Sequence, residues 1–105
     1  MNTIIYCASY EKGEEKFDEI MNRLLEDGVD LTITKRKYGS YAVNNFNGNT
    51  WRVILPAGSS ARGYKWDYAL VDEELSLYIY HMAILPQHAP MFMQDITPER
   101  MVSFY

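Results

Sequence analysis

Between Ser59 and Glu74 the chain reads SSARGYKWDYALVDEE, in which a short apolar strand, Tyr68 to Val71, runs straight into the carboxylates Asp72, Glu73 and Glu74. An apolar run of that length suits a strand buried within a sheet, and its abrupt acidic end puts charge at the carboxyl edge, where ligands sit in open α/β sheets. Thr3 to Ala8 is a second short, continuous apolar run suited to a strand buried on both faces. Two such runs separated by helical sequence predict an α/β fold of two or three layers.

The intervening segments supply the other elements. Phe17, Ile20, Met21, Leu24 and Leu25 recur at helical spacing and make one apolar stripe, with Glu14, Glu15, Asp18, Glu19 and Arg23 outside it. Ser9 is placed to cap this helix and Gly28 to stop it. Leu31 to Thr34 and Tyr41 to Val43 read as strands on either side of the Gly39-Ser40 break. Asn47-Gly48 then signals a hairpin before the strand Thr50 to Leu55. Pro56 to Tyr64 is a loop. Leu75 to Leu85 predicts a helix closed by Pro86, and Thr97-Pro98 predicts one or two last helical turns over Glu99 to Tyr105. At 105 residues this is one domain, 1–105, with a core over 4–74 and a helical tail over 75–105.

The acidic strand end has a definite chemistry. Asp followed by Glu suits a site where one carboxylate holds Mg²⁺ and the next orients an attacking water, so Asp72 and Glu73 are the candidate catalytic and metal-binding residues. Such a site needs a phosphate cradle, with glycines freeing backbone N–H groups and then Lys and Ser/Thr at a helix N-terminus. No GxxxxGK[ST] pattern occurs, and Lys12-Gly13 is followed at once by Glu14 and Glu15, which would repel a phosphate. The chain alone is therefore expected to be no ATPase and to need no cofactor, Mg²⁺ being the one ion the acidic pair would suit. Cys7 lies in an apolar run and reads as core filler. His81 and His88 match no zinc spacing, and no serine occupies a nucleophile elbow.

A net charge of −4 opposes nucleic-acid binding by the surface as a whole. Lys35, Arg36 and Lys37 nevertheless form a basic run beside Tyr38 and Tyr41, and Arg52, Arg62 and Lys65 could extend it in space. Lys35, Arg36, Lys37 and Arg62 are the candidate nucleic-acid contacts, set against the plainer reading of a solvated strand edge. Aromatic residues make up 14% of the chain, with nine tyrosines, and such residues are enriched where proteins touch partners. Tyr64, Trp66, Met91, Phe92 and Met93 are the candidate partner contacts. The single cysteine fits a reducing cytoplasm, and no segment reaches the length of a membrane span.

The order of parts resembles a known family. A strand ending CAS, a helix beginning YEKGEEKFDEI, a strand pair around NGN, an RG-containing loop and then ALVDEE look like the middle of the RecA-like motor domain of phage large terminase subunits and their superfamily 2 helicase relatives. The resemblance covers Ile4 to Leu75. It begins one element after the strand and phosphate loop that open such a domain, and it stops before the coupling motif and the nuclease domain. It implies a small RecA-like open sheet in which Asp72 corresponds to the Mg²⁺-holding acid, Glu73 to the water-orienting carboxylate, and Arg62-Gly63 to the small-residue loop before that strand.

With the phosphate loop missing, the leading expectation is a non-catalytic phage accessory or counter-defence protein that binds a host or phage protein, in the host cytoplasm if phage-encoded. A subunit completing a split ATPase or terminase motor is the second reading, and a weak nucleic-acid-binding module the third. The sheet edge left by a missing strand has to be covered, by a homodimer or by the Leu75 to Tyr105 tail.

Overall fold

The computed structural model describes residues 1–56, 64–89 and 101–105. Six strands form one sheet: β1 (Asn2–Tyr6), β2 (Leu31–Thr34), β3 (Tyr41–Asn44), β4 (Thr50–Ile54), β5 (Tyr68–Val71) and β6 (Val102–Phe104), in the order β2-β3-β4-β1-β5-β6. β1 pairs in parallel with both β4 and β5, and β6 pairs in parallel with β5. β3 is antiparallel to both β2 and β4, so it alone runs against the rest. The expected RecA-like α/β architecture is the observed one.

Helix α1 (Tyr10–Glu26) covers one face. Ser9 caps it by accepting from the Lys12 amide at 3.3 Å, and Gly28, at φ +81°, follows its end. Phe17 and Met21, from the apolar stripe, bury against Ile5, Cys7, Ala42 and Val53 of the sheet. Gly13 is where helix and sheet come closest. A Cβ there would lie 2.7 Å from Cys7 Sγ and 2.8 Å from both Cys7 Cβ and Val53 Cγ1. Burial pushes the Cys7 thiol up to about 12, with the charges of Asp72 and Glu14 adding to the effect, so this cysteine is inert packing.

The opposite face holds a second core of Ile4, Tyr6, Ile54, Ala69 and Val71, covered by Trp66, Ile84 and Met101. The covering segment starts two residues later than the sequence predicts. The Asp72 carbonyl and carboxylate accept from the Leu75 and Glu74 amides, which makes a turn of Asp72–Leu75, and Ser76 then caps α2 (Leu77–Ile79) through the Ile79 amide. The helix continues through a π turn, Tyr80–Ile84, into a 3-10 turn, Leu85–Gln87, that contains Pro86.

Two expectations need correcting. The last residues form strand β6 where helical turns were expected over Glu99 to Tyr105. Val102 and Phe104 pair with Ala69 and Val71, and hydrogen bonding to the open β5 edge outweighs the local Thr-Pro signal. The end of the tail thus pairs with the β5 edge as a strand. Trp66, expected at a partner surface, is completely buried. Its Nε1 donates to the Ile84 carbonyl at 2.8 Å and its ring lies 4.6 Å from that of His88. The 3-10 turn makes this possible, because the His88 amide bonds to Leu85 and leaves the Ile84 carbonyl for the indole.

Candidate functional site

The carboxyl ends of β1 and β5 meet at Asp72, which is 0% exposed. Its Oδ1 accepts from Lys12 Nζ at 2.6 Å and from the Glu74 amide at 2.9 Å, and its Oδ2 accepts from the Ala8 amide at 2.9 Å. Burial works to raise the Asp72 pKa. The Lys12 ammonium and the two backbone donors outweigh it and hold the carboxyl below its ordinary value. The Lys12 pKa is raised in turn, chiefly by its hydrogen bond to Asp72.

The C-terminal residue closes the same corner. Tyr105 donates its hydroxyl to the Tyr6 carbonyl at 2.8 Å and its amide to Val71 at 3.0 Å, while its carbonyl accepts from the Glu73 amide at 2.8 Å. The Lys12 and Lys16 ammonium groups lie 5.5 and 5.8 Å from its ring centre.

Asp72 is therefore a hub joining β1, α1 and the acidic turn. Its oxygens are engaged by the Lys12 ammonium at ion-pair distance and by two backbone amides. Glu73 is exposed beside it. Among the described residues, no group of three or more His, Cys, Asp or Glu side chains is arranged to hold a metal.

A different site lies on the sheet face turned away from α1. Alternation along β4 sends Val53 into the α1 core and Arg52 to the other side. There the Arg52 guanidinium lies 4.9 Å from the ring centres of both Tyr41 and Tyr64. Arg36 lies 5.1 Å from the Tyr41 ring, and Lys37 lies 5.4 Å from that of Tyr38, which contacts Tyr10. Two adjacent cavities, about 460 and 180 Å³, have Arg52 and Tyr64 in both linings and make up a two-part groove. Asn2, Tyr41, Val43, Thr50 and Lys65 line the larger part, and Tyr10, Arg36 and Tyr38 the smaller.

The candidates named from the sequence separate accordingly. Arg36 and Tyr64 line the groove, together with Arg52 and Lys65, two of the three residues expected to extend the basic run. Lys37 stacks at its rim. Lys35 points elsewhere, held by Glu14 at 3.1 Å and Asp18 at 2.6 Å. Burial tends to lower the Lys35 pKa, and those two carboxylates raise it above the ordinary value. Arg62, Met91, Phe92 and Met93 lie outside the described residues. Lys12 is the residue whose role sequence reasoning missed. Its partner is sixty positions away, and the usable signal was its place in the first helical turn after a strand that neighbours β5.

No family model matches the chain, and no curated protein matches it. Among solved structures it is similar to the large terminase ATPase domain of Thermus phage P74-26, with a TM-score of 0.57 and 17% sequence identity over 82% of this chain. The match spans 42% of that domain's chain. The likeness is one of fold: a distant terminase-like α/β sheet. No helix among the described residues is long and apolar enough to cross a membrane.

Proposed function

We propose that this chain is a non-catalytic accessory domain that acts by binding a protein of a phage or its host. The observation that carries this reading is the Lys12–Asp72 pair at 2.6 Å: the acid best placed to hold a nucleotide's metal is neutralised from within. Phosphoryl transfer depends on positioning and charge neutralisation, and an acid already satisfied by three internal donors supplies neither to a ligand. The binding side of the reading rests on the covering helix, where Leu77, Tyr78 and Met82 are each more than 60% exposed, with Phe104 of β6 at 58%. Exposed apolar residues grouped in this way suit a protein contact.

The test has two parts. Purified protein with ATP or GTP and Mg²⁺ is expected to give no turnover above background, and turnover that disappears in Glu73→Ala sinks the reading. Capture from infected cells followed by mass spectrometry is expected to return a partner that Tyr78→Glu/Met82→Glu no longer retains.

A second reading, a subunit that completes a split motor, is favoured by β6. Its outer edge pairs with no strand among the described residues, and a subunit carrying a phosphate loop could dock there. That reading requires turnover to appear when such a partner is added.

A further inference from the structure

Among the described residues, the lysines and arginines of this acidic protein fall into two populations. Lys12, Lys16, Arg23 and Lys35 each hold a carboxylate, and all four ion-pair on α1, against it or beside its N-terminal end. Arg36, Lys37, Arg52 and Lys65 hold none among the described residues: Arg52 and Lys65 line the groove on the sheet face away from α1, Arg36 lines its smaller part beside Tyr10 at the start of α1, and Lys37 stacks on Tyr38 at the rim. No Asp or Glu among the described residues lines that groove. A net charge of −4 thus conceals a locally positive surface.

The groove's shape and chemistry restrict what it can take. Two of its cations rest on rings, since Tyr41 and Tyr64 flank the Arg52 guanidinium and Tyr41 also meets Arg36, which leaves their N–H edges for oxygen acceptors. Tyr64, at 41% exposed, offers ring surface as well. Cations alternating with tyrosines along an open, two-part groove match an extended polyanion with flat aromatic groups, and a positive groove with stacking rings is how single strands are held without sequence readout. We propose that this groove binds single-stranded nucleic acid, with phosphates on Arg36, Arg52 and Lys65 and a base against Tyr64. The inference does not rest on the protein-binding reading above, and its readout is independent of nucleotide turnover.

The experiment is fluorescence anisotropy with a labelled mixed-sequence DNA strand of about twelve nucleotides, a length within the usual range of single-strand sites. Three phosphate contacts predict a slope of log affinity against log salt of about −2. Arg52→Ala and Tyr64→Leu are each expected to weaken binding at least about fivefold. Arg23→Ala and Lys35→Ala, whose cations are paired on α1, are expected to stay within about twofold of wild type. The same sequence as a duplex is expected to bind at least about fivefold more weakly, since its bases are not free to stack. Circular dichroism verifies the fold of each variant, and Lys65→Ala, on an exposed side chain, serves if Arg52→Ala does not fold. The proposal is overturned by any of three results: no binding at low salt, equal affinity for duplex and single strand, or a Lys35→Ala effect as large as that of the groove variants.

Discussion

Gly13→Ala sets two well-understood effects against each other, and the structure decides the sign. Alanine is the better helix former by about 1 kcal/mol, so a freely exposed α1 would be stabilised. At this position the new methyl would sit 2.7–2.8 Å from Cys7 Sγ, Cys7 Cβ and Val53 Cγ1, whereas carbon atoms rest at about 3.5–4.0 Å. None of the three atoms is the loose end of a long side chain. Cys7 directly follows the central strand β1, and Val53 is part of β4, so the first turn of α1 has to lift by roughly 1 Å. Overpacking of that kind costs about 1–3 kcal/mol, and rigid neighbours on both sides place this site in the upper half of the range. The net expectation is a loss of about 1–2 kcal/mol, which for a chain of this length lowers Tm by roughly 5–15 °C. Thermal and urea unfolding followed by far-UV circular dichroism measure it, and Gly13→Ala/Val53→Ala should show favourable coupling because one of the three contacts is gone. An unchanged or raised Tm in the single variant would refute the argument that α1 is seated on Cys7 and Val53.

Asp72→Asn is expected to cost about 1.5–3 kcal/mol at neutral pH, because it removes the charge that Lys12 and two amides are arranged around. The 30% exposure of the Lys12 side chain keeps the loss below that of a fully buried pair. The folded-state pKa of Asp72 lies below its unfolded value, so its contribution is complete above the ordinary carboxylate range and drains away as pH falls through the depressed value. Denaturation midpoints across the acid range should therefore slope less in Asp72→Asn than in wild type; parallel curves would count against the pairing. Tyr6→Phe should be neutral or stabilising by up to about 1 kcal/mol, since the buried Tyr6 hydroxyl has no partner among the described residues. A clear loss in its urea midpoint would reveal a partner for that hydroxyl.

What the sequence disclosed followed the range of the interactions involved. The α1 stripe, the Ser9 cap and the Gly28 stop all act within a few residues, and each lies where it was expected. Arg52 was grouped with the basic run only as a residue that could extend it in space, and its tyrosine neighbours come from the fold. β6 was illegible because three residues, Val102-Ser103-Phe104, carry no strand pattern of their own and become a strand only by pairing with β5. Trp66 misled for a related reason: flanked by Lys65 and Asp67, it reads as surface until Ile84 and His88 fold over it. Lys12 was weighed as a phosphate ligand and set aside on local grounds, while its partner Asp72, just after β5, left no trace nearby. The tertiary links that define the candidate sites are the ones periodicity cannot encode.

The central place of β1 has a consequence for how the chain reaches its fold. Ile5 stands opposite Val53 on one side and Leu70 on the other, so the most buried strand has no sheet partner close to it in the chain. The β2–β3 and β3–β4 hairpins close over short loops and can form early, whereas the parallel pairings must await the closure of long ones. Until then Ile5 and Cys7 have only the stripe of α1 for shelter, Ile4 and Tyr6 on the other face lack even that, and such a segment is a natural seed for aggregation. Yield of native protein should thus be limited by the time β1 spends unpaired, and slower synthesis at low temperature or a chaperone that shields apolar strands should raise it.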